Sequence, residues 1–111
     1  MDKTIAQEAL ELLEPIPAKE WIEGNYEEDG QSCALGWYAK KKYPKGLKNG
    51  ESFYDASLPL RVASEQFILN KYKLYRDIAD VNNDTNTNNY KQKTIKNRVI
   101  ALLKDMVKAG Y

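Results

Sequence analysis

Apolar residues recur at helical spacing near both ends of the chain and in its middle. Ile5, Ala9, Leu12, Leu13 and Ile16 fall on one face, with Glu8 and Glu11 outside it. This spacing predicts a helix from about Thr4 to Glu14. Pro15 and Pro17 end it, because each lacks an amide donor and restricts the residue before it. Residues 21–26, Trp-Ile-Glu-Gly-Asn-Tyr, have no helical period and read as extended or irregular, anchored by Trp21 and Tyr26. An acidic turn, Glu27-Glu28-Asp29-Gly30, follows. A second helix is expected from Ser32, a favoured N-cap type, to about Tyr43, where Pro44-Lys45-Gly46 stops it. Gly36 falls inside this helix, where glycine is unfavourable by roughly 1 kcal/mol relative to alanine. Its presence predicts that another element approaches closely.

Leu47 to Asp55 reads as a loop broken by Asn49-Gly50 and pinned by Phe53 and Tyr54. A third helix is expected near Ser57, with Pro59 in its first turn, where a missing amide costs little. It offers two stripes, Leu60-Ala63-Phe67-Asn70 and Val62-Gln66-Leu69, and so reads as central. A short helix over Tyr75 to Val81 precedes the run from Asn82 to Asn89, whose side chains compete with backbone hydrogen bonds. The last helix is expected from Thr87 or Asn88 to Ala109. Its apolar face is Ile95, Val99, Leu102, Leu103 and Met106, and Lys91, Lys93, Lys96, Arg98, Lys104 and Lys108 lie opposite or on the flanks. Gly110 is a suitable stop. The pattern predicts a mainly α protein: about four helices around one core, with a short irregular or extended aromatic segment after the first, and residues 1–111 forming one domain.

Composition narrows the chemistry. The chain has one cysteine, Cys33, and no histidine. No intramolecular disulfide can form, and the commonest general base and metal ligand is missing. No metal site, cofactor or catalytic residue is therefore expected. No apolar stretch reaches the ~20 residues that span a bilayer. The acidic, amphipathic start lacks the form of a signal peptide, so a cytoplasmic protein without membrane contact is expected.

Net charge is +1, unevenly spread. Residues 1–29 carry nine acids and two bases, and residues 30–111 carry fifteen bases and seven acids. Either acidic and basic faces meet within the fold or between protomers of a homodimer, or a basic surface serves an acidic partner.

Four groups of residues invite a functional reading. Cys33 at a helix start could form a thiolate, but free cysteine is more often core. Asn83, Asp84 and Thr85 lack the spaced acids of a calcium loop and read as an Asx-turn. Trp21, Tyr26, Glu27, Glu28 and Asp29 form the expected protein-binding set, because aromatic anchors beside charge are common at contact surfaces. The alternative is a phosphate-tracking surface of Lys40, Lys41, Lys42 and Lys45 with Lys93 and Lys96 of the last helix. No phosphate loop, dinucleotide fingerprint or zinc-finger spacing is present.

Three motifs occur together: Trp21-x-x-Gly24, Cys33-Ala34-Leu35-Gly36, and Ile78 followed by Asn83-Asp84 and the terminal helix with Val99-Ile100-x-Leu102-Leu103. In this the chain resembles a family of small bacterial and phage proteins known as a domain of unknown function. The resemblance implies a helical fold and assigns no activity. The expected function is a non-enzymatic binding or regulatory module, monomeric or homodimeric, that contacts a protein partner.

Overall fold

In the computed structural model, residues 2–47, 50–84 and 89–111 are described. They form five helices: α1 (Ile5–Leu13), α2 (Ala34–Lys42), α3 (Phe53–Tyr72), α4 (Ile78–Asn82) and α5 (Ile95–Lys108), with a 3-10 turn at Ala18–Glu20. The mainly α architecture is as expected, and no strand occurs among the described residues. The segment after α1 makes only isolated bridges, Trp21 with Ser32 and Glu28 with Gln31.

α1 begins where the sequence suggests. Thr4 accepts from the Gln7 amide and the Gln7 side chain accepts from the Thr4 amide, a reciprocal cap that satisfies two orphan donors. α1 runs antiparallel to α5. The Ala6 amide donates to the Tyr111 carbonyl, and Glu14 pairs with Lys104. α1 also packs on α2, through Glu8 with Lys42 and Tyr38, and the Trp37 indole donates to the Glu20 carbonyl of the 3-10 turn. α3 and α4 close the other side of the core, which joins Ala6, Ala9, Leu13, Leu35, Tyr38, Leu60, Phe67, Ile78, Val99, Leu102, Leu103 and Met106. Of the two α3 stripes, Leu60-Ala63-Phe67 is buried, while Val62 is exposed.

The helix starts depart from expectation. α2 is capped at Cys33, not Ser32. Ser32 is held in the bridge instead, its amide donating to the Glu20 carbonyl and its carbonyl accepting from Ile22. α3 begins four residues before Ser57, because Ser52 and Asp55 form a capping box. Pro59 therefore lies inside the helix. Its missing amide would have met the Asp55 carbonyl, which lies in an exposed part of the helix and can turn to water. α4 starts at Ile78 rather than Tyr75, because Asp77 and Asp80 form another box. α5 starts at Ile95 behind Thr94, whose hydroxyl accepts from the Asn97 amide. The expected starts at Thr87 and Asn88 lie outside the described residues, but residues 89–93 are not helical. Tyr90 holds that stretch to the body: it is buried, and its hydroxyl donates to Asp105 at 2.7 Å. α5 ends as expected. Gly110 takes a φ of 87°, and the Gly110 and Tyr111 amides close back onto Val107 and Met106, a Schellman motif.

Part of the charge split closes within the fold. Glu8 with Lys42, Glu27 with Lys40 and Glu14 with Lys104 each join an acid of the first 29 residues to a later base. The first is anchored to the core through Tyr38. The Tyr38 hydroxyl, on a fully buried side chain, donates to Glu8 at 2.8 Å, and Lys42 donates to the same hydroxyl at 3.2 Å. Burial and then the Glu8 bond push the Tyr38 phenol up to about 12. For Glu8, burial acts to raise the pKa, but the Tyr38 bond and the Lys42 charge outweigh it and hold it below its ordinary 4.5. A carboxyl with a depressed folded pKa stabilises the fold above its unfolded value, and that contribution is lost as pH falls through the folded one. Glu8→Gln should therefore flatten the loss of stability on acidification below about pH 4.5. Thermal unfolding of both proteins from pH 6 to pH 3 checks this, and parallel curves would contradict it.

Candidate functional site

The quoted motifs meet at one corner of the fold, and asparagines hold them there. Asn82, the last residue of α4, is fully buried. Its Oδ1 accepts from the Ala34 amide at 2.9 Å, which caps α2 in place of Ser32. Its Nδ2 donates to the Ile22 carbonyl at 3.0 Å and to Asn83 Oδ1 at 2.9 Å. Asn83 Oδ1 also accepts from the Gly24 amide. Asn82 and Asn83 thus tie the Trp-x-x-Gly segment, the start of α2 and the end of α4 together.

Arg98 secures the far side. The sequence placed it with the exposed lysines of the last helix. It is instead buried, 6% exposed, and donates to the Val81, Asn82 and Gln92 carbonyls. Those carbonyls lie where α4 ends and where the chain approaches α5, so the guanidinium replaces hydrogen bonds that regular structure would supply.

Gly36 confirms the expected close approach. A methyl group there would overlap the Tyr26 carbonyl oxygen and crowd Ser32 Cβ. The irregular segment thus lies directly on the first turn of α2.

Beside this junction is a cavity of about 190 Å³, lined by Gly24, Tyr26, Cys33, Leu35, Arg61, Ala79, Asn82 and Asn83. Arg61 reaches in from α3 and donates from Nη1 to Asp77 Oδ2 at 2.9 Å. Burial opposes the guanidinium charge, but Asp77 and the neighbouring Tyr26 hydroxyl outweigh it and raise its pKa. Asp77 is itself fixed, with Oδ1 accepting from the Ala79 and Asp80 amides. Cys33 is buried at the cavity wall and makes no side-chain cap bond. Arg61 and Ala79 carried no sequence signal; only the fold brings them to the motifs.

The expected protein-binding residues divide. Trp21 is in the core, 4% exposed, and its indole donates to the Ile16 carbonyl. Tyr26 is half-buried and stacks on Phe53 with ring centroids 5.7 Å apart. Glu27, Glu28 and Asp29 are exposed. Their turn is tight: the Glu28 and Gln31 amides and carbonyls exchange two bonds of 2.9 Å, and Asp29 and Gly30 take φ of 51° and 83°. Positive φ at both central residues is the two-residue hairpin geometry that Asp-Gly favours.

The residues of the expected basic surface come from two helix ends. Lys40, Lys41, Lys42 and Lys45 lie at or just beyond the end of α2. Lys93 and Lys96 flank the start of α5, at the Asn82 corner from which α2 also departs. The nine residues of α2 put roughly 12 Å between these ends. Lys40 and Lys41 also lie over the Trp37 ring.

Among the described residues, no cluster of acids and cysteine is placed to hold a metal ion, and no helix is long and apolar enough to cross a membrane. No family profile, curated protein or solved structure matches the chain.

Proposed function

We propose that this protein is a non-enzymatic binding module that docks a protein partner through its acidic turn and the adjacent Tyr26. The observation that carries this reading is the fixed geometry of the turn. Glu28 and Asp29 are displayed to solvent on a backbone already closed by two hydrogen bonds. A preformed loop loses little conformational freedom on binding, so more of its contact energy appears as affinity. Among the described residues Asp29 makes no ion pair, the Glu28 carboxylate accepts only from Asn25, and Glu27 is partly engaged by Lys40. The surface suits a partner with exposed lysine or arginine. A cytoplasmic setting, and an origin in a phage or other mobile element, belong to the same proposal. They rest on the single cysteine and on the motif resemblance.

Nucleic acid is the weaker reading. Lys40 and Lys42 already face Glu27 and Glu8, and Lys93 and Lys96 come from the start of a different helix.

The test is Glu28→Lys combined with Asp29→Asn, since asparagine tolerates the positive φ at that position. In pull-downs at matched salt, the partner retained by the wild-type protein should be lost with the double variant, whose unfolding midpoint should not move. Equal retention by both proteins would remove the acidic turn from the interface.

A further inference from the structure

We infer that the cavity beside Arg61 is a binding site for a small carboxylate, independent of the acidic turn. The polar side-chain groups facing it are mostly donors. Arg61 commits Nη1 to Asp77 and has the Tyr26 hydroxyl beside it, while its buried Nε has no partner among the described residues. Asn83 accepts through Oδ1 from both Gly24 and Asn82, which leaves its Nδ2 as the group it can offer. Leu35 lines the wall, and its amide and that of Gly36 make no hydrogen bond among the described residues. Both amides belong to the first turn of α2, where unpaired N–H groups and the helix dipole favour negative charge. Just before that turn, Ser32 Oγ, on a fully buried side chain packed against Gly36, has no partner among the described residues.

A wall of donors without a free carboxylate calls for an acceptor-rich ligand. Asp77 does not fill that role, because it lies outside the cavity lining and both of its oxygens are already bound, Oδ2 by Arg61 and Oδ1 by the Ala79 amide. Arg61 offers a planar donor fork suited to a carboxylate. Tyr26, Leu35 and Ala79 supply an apolar remainder for a short carbon chain. At about 190 Å³ the cavity is smaller than the roughly 300–1,000 Å³ of drug-sized sites, so the ligand is an acid of a few carbons rather than a nucleotide.

The experiment is an amide NMR titration of the full chain with acetate, propionate, butyrate and succinate. Acetamide, propionamide and inorganic phosphate serve as controls. Carboxylates should shift the Leu35 and Gly36 amides and the Arg61 Nε–H saturably, with half-saturation at about 1 mM or below for the best acid. The amides should shift none of them. Arg61→Gln should weaken binding at least tenfold. Because that change also frees Asp77, Ala79→Leu is the second variant: it fills the cavity while keeping the ion pair, and should abolish the shifts. The acidic-turn double variant should bind the acid as the wild-type protein does, which keeps this test separate from the partner test. Absence of saturable shifts in the folded wild-type protein, equal shifts with the amides, a response to phosphate alone, or undiminished binding by Ala79→Leu would each overturn the assignment.

Discussion

Replacing Gly36 with alanine should destabilise the protein by about 3 kcal/mol or more, although alanine is the better helix former. Helix propensity alone predicts a gain of about 1 kcal/mol at an interior position. The added methyl would overlap the Tyr26 carbonyl oxygen and press on Ser32. Neither neighbour is the end of a flexible side chain. The Tyr26 carbonyl is backbone, and Ser32 is fixed by hydrogen bonds through both its amide and its carbonyl. Relief would require the irregular segment to lift off α2, breaking the Cys33-to-Asn25 bond and the Asn82 and Asn83 bonds. Overpacking of a rigid site typically costs 1–3 kcal/mol, and more where backbone must move. A chemical unfolding curve measures this directly. A stabilised Gly36→Ala protein would show that the two segments do not touch as described.

Asn82→Ala should cost about 3 kcal/mol. The loss of packing is small, but the substitution strands the buried Ala34 amide and the part-buried Ile22 carbonyl. A buried group left without its partner costs ~1–3 kcal/mol. Because these groups lie on separate segments, no single shift of the backbone can pair them again. The effect should be local as well as global: amide exchange should accelerate at Ala34 and Gly24 before the rest of α2 responds. Uniform exchange with an unchanged midpoint would mean that water replaces the side chain without penalty.

These two positions also show what a sequence can disclose. The glycine inside a helix pattern was a local anomaly, and local anomalies can be read: something had to lie against Gly36. α1 and the body of α5 were legible for a related reason, since each has one apolar face and unambiguous stops at Pro15 and Gly110. Asn82 gave no such signal. Its partners stand 48 and 60 positions away, and an asparagine within a polar run looks like any turn residue. Arg98 misled in the same way. On a helix rich in lysine it fitted the solvent face, and only the carbonyls of Val81 and Asn82, brought beneath it by the fold, explain its burial. The start of α3 was obscured by Pro59, which drew the expected start to Ser57, whereas the helix begins behind the Ser52-x-x-Asp55 box. At the candidate site, Gly24, Cys33, Leu35 and Asn83 lay in short motifs that could be quoted without knowing why they belonged together. Arg61 and Ala79 had no motif, because their place in the cavity depends on how α3 and α4 pack.

The asparagine corner also bears on how the chain acquires its structure during synthesis. The first turn of α2 and the Ile22–Gly24 stretch receive their closing bonds from residues 82 and 83. At ribosomal rates of about 5–20 residues per second, those donors and acceptors follow Ala34 by roughly 2–10 s. Through that interval α1 and α2 can make only the contacts they share with each other, and the apolar surface that α5 will cover is open. The N-terminal half therefore waits on the C-terminal third, and folding is expected to be a late, concerted event rather than a helix-by-helix accretion.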